Sequence, residues 1–125
     1  MEKTILVVDD CPDISFTIKQ RLKDLGAEYN ISSVESGEKC LEQLENNKIP
    51  DLILLDIMMC GITGWEVFDR LQENQSWKNI PIIFLTARTD KIAKTAGSYL
   101  AADYIEKPFE IKDLKKRIDN ILNKE

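Results

Sequence analysis

The stretch Ile5-Leu6-Val7-Val8-Asp9-Asp10 sets four aliphatic residues in a row against two acids. A run this short and this uniformly apolar reads as a strand buried on both faces. Three further stretches repeat the arrangement. Leu52-Ile53-Leu54-Leu55 runs into Asp56, Ile82-Ile83-Phe84-Leu85 ends at Thr86, and Tyr104-Ile105-Glu106 leads to Lys107-Pro108. Helix-like stretches separate them, which is the pattern of an α/β domain with a doubly wound parallel sheet. In an open parallel sheet the carboxyl ends of the strands share one edge, and ligands bind there. Three carboxylates, a hydroxyl and an ammonium are therefore expected in one crevice.

Around these runs the order is strand then helix, five times. The first strand covers about Thr4–Asp9 and is followed by a helix over Pro12–Leu25. Pro12 suits the first turn of that helix and Gly26 its stop, while Ile14, Ile18, Leu22 and Leu25 recur at helical spacing. Tyr29–Val34 is a weaker strand, and Gly37–Asn46 a helix that turns Leu41 and Leu44 inward. Pro50-Asp51 opens the strand that ends at Asp56. Thr63-Gly64-Trp65-Glu66 has the form of a capping box, in which Thr63 accepts an orphan amide and Glu66 reaches back. The helix it starts buries Val67, Phe68 and Leu71. Pro81 opens the fourth strand, and Asp90–Gly97 reads as a short, poorly amphipathic helix. The last helix runs from about Ile111 to Leu122, with Ile111, Leu114, Ile118, Ile121 and Leu122 on one face.

A chain of 125 residues is long enough for one core and leaves no room for a second, so residues 1–125 are expected to form one domain. Hydrophobic residues at 43% and charged residues at 31% lie in the soluble globular range. No apolar run approaches a membrane span, and the start lacks a signal-peptide pattern, so a cytoplasmic location is expected. Lys and Arg number 17 against 22 Asp and Glu, and the net charge of −5 argues against nucleic acid as a direct partner. Three cysteines (Cys11, Cys40, Cys60) lack metal-ligand spacing and there is no histidine. A disulfide framework and a zinc site are both disfavoured.

The crevice sets its own chemical demands. Two like charges about 4 Å apart repel by roughly 4 kcal/mol at an effective dielectric near 20, so three carboxylates need a cation or a proton. With oxygen ligands alone the matching ion is hard, and Mg2+ fits best because it keeps waters and is completed by phosphate oxygens. Asp56 stands alone at its strand end and can present an oxygen to phosphorus, forming an aspartyl phosphate. Mg2+, Lys107 and Thr86 with a nearby backbone amide would then meet the three equatorial oxygens.

Taken singly, each of these residues has a plainer reading. A strand-ending Asp or Thr is usually a turn or cap residue, and a lone lysine is usually a solvated one. Asp13 is kept as a helix N-terminal charge, Asp51 lies at the wrong end of its strand, and Asp103 is expected to face solvent. The coincidence of Asp9, Asp10, Asp56, Thr86 and Lys107 is what the plainer readings do not predict.

In these stretches the sequence resembles the receiver domain of two-component response regulators. The matching text is Ile5-Leu6-Val7-Val8-Asp9-Asp10, Asp56-Ile57-Met58-Met59 with Gly64, Thr86-Ala87, and Lys107-Pro108-Phe109. The resemblance implies a flavodoxin-like (βα)5 fold of strand order 2-1-3-4-5. It implies Asp56 as phosphoacceptor from a sensor histidine kinase or histidine phosphotransfer protein. Asp9 and Asp10 would bind Mg2+, with Asp56 and the Met58 carbonyl as further ligands. Thr86, Lys107 and the Ala87 amide would contact the phosphoryl group, and Thr86 and Tyr104 would form the switch. The Lys107–Pro108 bond is expected to be cis. A downstream protein target would read the face of the fourth helix, fifth strand and fifth helix, and a homodimer through that face stays open.

There are departures from the family pattern. Cys60 stands where proline is usual and Leu100 where glycine is common, so Gly97 is the alternative end of the fourth helix. Met58 and Arg88 occupy positions that tune phosphate lifetime in similar domains. Cys11 and Cys60 flank the site but are expected to be spectators, because neighbouring carboxylates disfavour a thiolate. Trp65 and Trp77 lack basic interleaving and are expected to pack. Lys112, Lys115 and Lys116 alternate with acids as a solvated face does. Two other function classes stay in view. One is a Mg2+-dependent phosphohydrolase, which would need an acid where Met58 stands. The other is a phosphate-independent interaction module, against which the intact acid pair and lysine argue. The leading expectation is a signalling switch that acts only on itself, either as a stand-alone receiver or as part of a longer protein.

Overall fold

The computed structural model describes residues 3–86 and 102–123, with Thr86 described through its backbone. In chain order the elements are β1 (Lys3–Val8), α1 (Pro12–Asp24), β2 (Tyr29–Val34), α2 (Gly37–Glu45), β3 (Leu52–Asp56) and α3 (Gly64–Gln72). β4 (Ile82–Thr86), β5 (Asp103–Glu106) and α4 (Ile111–Leu122) complete the described residues. The five strands form one parallel sheet in the order β2-β1-β3-β4-β5. The doubly wound α/β expectation holds, with four helices among the described residues. The helix expected over 90–97, together with Arg88, Gly97 and Leu100, lies outside them.

Alternation along the strands divides the core in two. β1 sends Leu6 and Val8 to one face, where Cys40, Leu41 and Leu44 of α2 and Val67, Phe68 and Leu71 of α3 cover them. It sends Ile5 and Val7 to the other, under Ile18 and Leu22 of α1 and Leu114 and Ile118 of α4. β1, β3 and β4 are apolar at successive positions because both faces are covered. Each side chain of this size, fully buried, contributes about 1.5–3 kcal/mol relative to exposure. Cys40 belongs to this core, and burial pushes its thiol up to about 12, so it is chemically inert.

Four local expectations need correction. The strand expected at Thr4–Asp9 lies one residue earlier, which makes Asp9 the first residue beyond β1. Leu25, expected on the buried stripe of α1, is 36% exposed because the helix ends at Asp24 and Leu25 is its cap. The turn there closes on Gly26, whose φ of +80° suits glycine, as the stop signal implied. Of the capping box, one arm forms: Thr63 Oγ1 accepts the Glu66 N–H at 3.3 Å. No reciprocal bond from the Thr63 N–H to the Glu66 carboxylate occurs among the described residues. Asp103 is half-buried rather than solvent-facing, because Arg117 of α4 meets its Oδ1 at 2.8 Å. Trp65 and Trp77 pack against the α2–α3 side of the core, Trp65 with its ring centroid 4.7 Å from that of Phe84.

Candidate functional site

β1 and β3 are neighbours in register, so the residues that end them must meet. Asp56 closes β3, and Asp9 and Asp10 follow β1. One oxygen from each of the three carboxylates lies within 4.8 Å of the others. Asp9 and Asp56 are buried, at 1% and 7% exposure, while Asp10 faces solvent. Lys107, just past β5, reaches across β4 to put its Nζ 3.1 Å from Asp9 Oδ2 and 3.4 Å from Asp56 Oδ1. The Lys107–Pro108 peptide is cis, as expected.

Two main-chain amides add to the contacts among the described residues. The Cys11 N–H donates to Asp9 Oδ1 at 2.9 Å, and the Cys60 N–H donates to Asp10 Oδ2 at 3.2 Å. The second bond was not anticipated from the sequence, although the signal was there: a proline at 60 has no N–H to give. Gly64 brings the start of α3 onto the β3 end, its N–H donating to the Ile57 carbonyl at 2.9 Å. Met58, two residues after Asp56, is 64% exposed.

Among the described residues, one ammonium faces three carboxylates and does not balance them. Burial is the largest influence on Asp56 and raises its carboxyl to about 6; Lys107 opposes the rise, and the charges of Asp9 and Asp10 add to it. An acid so placed holds its proton more tightly than an ordinary carboxyl, and added positive charge would reverse that. The donor set consists of carboxylate oxygens with no nitrogen or sulfur, which suits a hard divalent cation.

Of the other expected site residues, Tyr104 lies in β5 opposite Phe84 and packs partly buried against the α2–α3 side of the core. Thr86 ends β4 in register with Glu106 of β5, one position beyond the Asp56–Leu85 pair. Its side chain and Ala87 fall outside the described residues. The sequence reading also missed an open groove of about 860 Å3 between α1 and α4. Ile14, Thr17 and Phe109 line it, and Lys107 borders it on the site side.

Residues 5–119 match the family model of the response regulator receiver domain. The chain belongs to the response regulator receiver domain family. Receiver domains are the phosphorylation-controlled switches of two-component signalling, and this one superposes on its relatives along nearly its whole length. A crystal structure described as that of a response regulator from Chloroflexus aurantiacus matches with a TM-score of 0.89 and 35% identity, over 99% of this chain and 100% of the other. The alkaline phosphatase synthesis transcriptional regulatory protein PhoP of Bacillus subtilis is 36% identical over 125 residues, 99% of this chain and 50% of PhoP. Histidine kinase P4 of Formosa agariphila is 37% identical over 122 residues, 97% of this chain and 9% of the kinase. The receiver domain thus spans half or less of these two curated relatives. No helix among its described residues is long and apolar enough to cross a membrane.

Proposed function

We propose that this receiver domain, taken as residues 1–125, accepts a phosphoryl group on Asp56 from the phosphohistidine of a sensor histidine kinase or histidine phosphotransfer protein. The observation that carries this reading is the gathering of three carboxylates within 4.8 Å of one another, with Lys107 bridging two of them. An oxygen of ionised Asp56 attacks phosphorus, the bond from phosphorus to the histidine nitrogen breaks, and the imidazole leaves with that electron pair. Such a transfer asks the protein for position and for positive charge near the equatorial oxygens. Lys107 is already held against the Asp56 carboxylate, and the Thr86 hydroxyl and Ala87 amide are assigned to the remaining phosphoryl oxygens. Asp9, Asp10, Asp56 and the Met58 carbonyl are the groups that would hold Mg2+. When bound, that ion offsets the surplus of negative charge and polarises a phosphoryl oxygen.

The domain acts on itself and not on a free substrate. Met58 supports this, because a thioether cannot serve as the acid that a phosphohydrolase would need there. The added charge biases Thr86 and Tyr104, the switch pair, and the face of β5 and α4 carries the result. A downstream protein target, or a second copy of the chain, would bind on that face. The reaction is assigned to the cytoplasm.

Incubation with a small acyl phosphate and Mg2+ should add one hydroxylamine-sensitive phosphate to the wild-type chain and none to Asp56→Asn. A wild-type chain that stays unlabelled at saturating donor overturns the reading.

A further inference from the structure

Gly64 opens α3 in contact with the main chain of Asp56. A Cβ at this position would lie 2.4 Å from the Asp56 carbonyl oxygen, 2.8 Å from Ile57 Cα and 3.1 Å from the Asp56 carbonyl carbon. All three are backbone atoms, so a side chain at 64 must push one segment away from the other. α3 is firmly anchored. Val67, Phe68 and Leu71 bury it in the core, and Thr63 caps its first turn. The Asp56–Ile57 peptide stands at the end of the pairing with β4, its N–H donating to the Leu85 carbonyl at 3.3 Å, so neither segment can yield without disturbing the end of β3.

We propose that Gly64 is a positioning residue for the phosphorylation reaction: its missing Cβ lets the first turn of α3 seat the Asp56 main chain. That seat aims the Asp56 carboxylate at Lys107, 3.4 Å away, and at its two acidic neighbours. The inference rests on the assignment of Asp56 as phosphoacceptor. Gly37 supplies a matched control. A Cβ there would lie 2.5 Å from Val67 Cγ2 of α3 and 2.7 Å from Ile62 Cγ1 just before it, which crowds the same part of the molecule through side-chain atoms. Only the crowding at 64 reaches the acceptor's backbone.

Wild type, Gly64→Ala and Gly37→Ala are compared by labelling rate against acyl phosphate concentration at saturating Mg2+, by Mg2+ titration of tryptophan fluorescence, and by thermal melting. Misplacement of a reacting group by an ångström costs on the order of a hundredfold, so Gly64→Ala should lose about that much in its limiting labelling rate. Its half-saturating donor concentration should not change, and its Mg2+ binding should weaken. Gly37→Ala, with a similar fall in melting temperature, should label at the wild-type rate. Equal slowing in both variants, or a wild-type rate in Gly64→Ala, overturns the proposal. Should Gly64→Ala be unfolded in buffer, the rates are taken in sucrose, which favours the compact state, and expressed per folded molecule. A variant that stays unfolded there, while Gly37→Ala folds, makes the role of Gly64 structural and also overturns it. Failure of the wild-type chain to label refutes the acceptor assignment itself, an outcome visible before any variant is compared.

Discussion

At the amino-terminal edge of the sheet, Asp51 accepts the Thr4 N–H at 2.7 Å and the Thr4 hydroxyl at 3.2 Å, while its own N–H donates to the Thr4 carbonyl at 2.8 Å. Nearby, Asp119 of α4 accepts the Tyr29 hydroxyl on one oxygen and Lys115 Nζ, at 2.7 Å, on the other. Burial, with the bond to Asp119, drives the Tyr29 hydroxyl above the ordinary phenol range, so it remains a donor. At the carboxyl edge, Asp9, Asp10 and Asp56 divide one ammonium and two main-chain amides among them, counted over the described residues. The residue type is the same at both edges. Where donors match acceptors the acid ties two elements together; where they fall short it stores charge that an incoming cation can relieve. Two carboxylates about 4 Å apart repel by roughly 4 kcal/mol at an effective dielectric near 20, and Lys107 offsets part of that for Asp9 and Asp56.

The sharpest way to separate the two edges is pH. Asp56 holds its proton more tightly in the folded chain, at about 6, than the 3.8 of an unperturbed carboxyl. Over that interval the folded state binds more protons than the unfolded one, so stability rises as pH falls. Without divalent metal, urea unfolding between pH 7 and pH 4 should gain up to about 3 kcal/mol from this group, and Asp56→Asn should flatten the slope. A slope that survives in Asp56→Asn would locate the effect elsewhere. Asp51→Ala tests the opposite edge. Loss of the bonds to Thr4 should lower stability by about 1–2 kcal/mol in urea while labelling of Asp56 stays at the wild-type rate. Slowed labelling would mean that the edges are not independent. Smallest is Tyr29→Phe, which removes one hydroxyl from a carboxylate that keeps Lys115. About 0.5–1 kcal/mol is expected from thermal unfolding, again without change in labelling.

The sheet was legible because its central strands are covered on both faces. Ile5-Leu6-Val7-Val8 and Leu52-Ile53-Leu54-Leu55 can hardly be anything but buried strands, and their acids follow from where the strands stop. Leu25 was misread because helical spacing alone does not say where the helix ends. Asp103 was misread because its partner, Arg117, lies 14 residues away on another element, which no local pattern reveals. The amide of Cys60 could be noticed as a missing proline, but its acceptor, Asp10, lies 50 residues off and needed the fold to identify it. The site residues are marked in the sequence by their position at strand ends. What spacing cannot supply is the balance of charge among them, since that depends on burial.

Arg117 has one more consequence. Its guanidinium grips the Asp103 carboxylate at 2.8 Å, the Tyr104 carbonyl at 2.9 Å and the Asp113 carboxylate at 3.3 Å. The start of the fifth strand and the body of the last helix are thereby pinned to one another. A displacement of the main chain at residue 104 would pull on the helix through this one guanidinium.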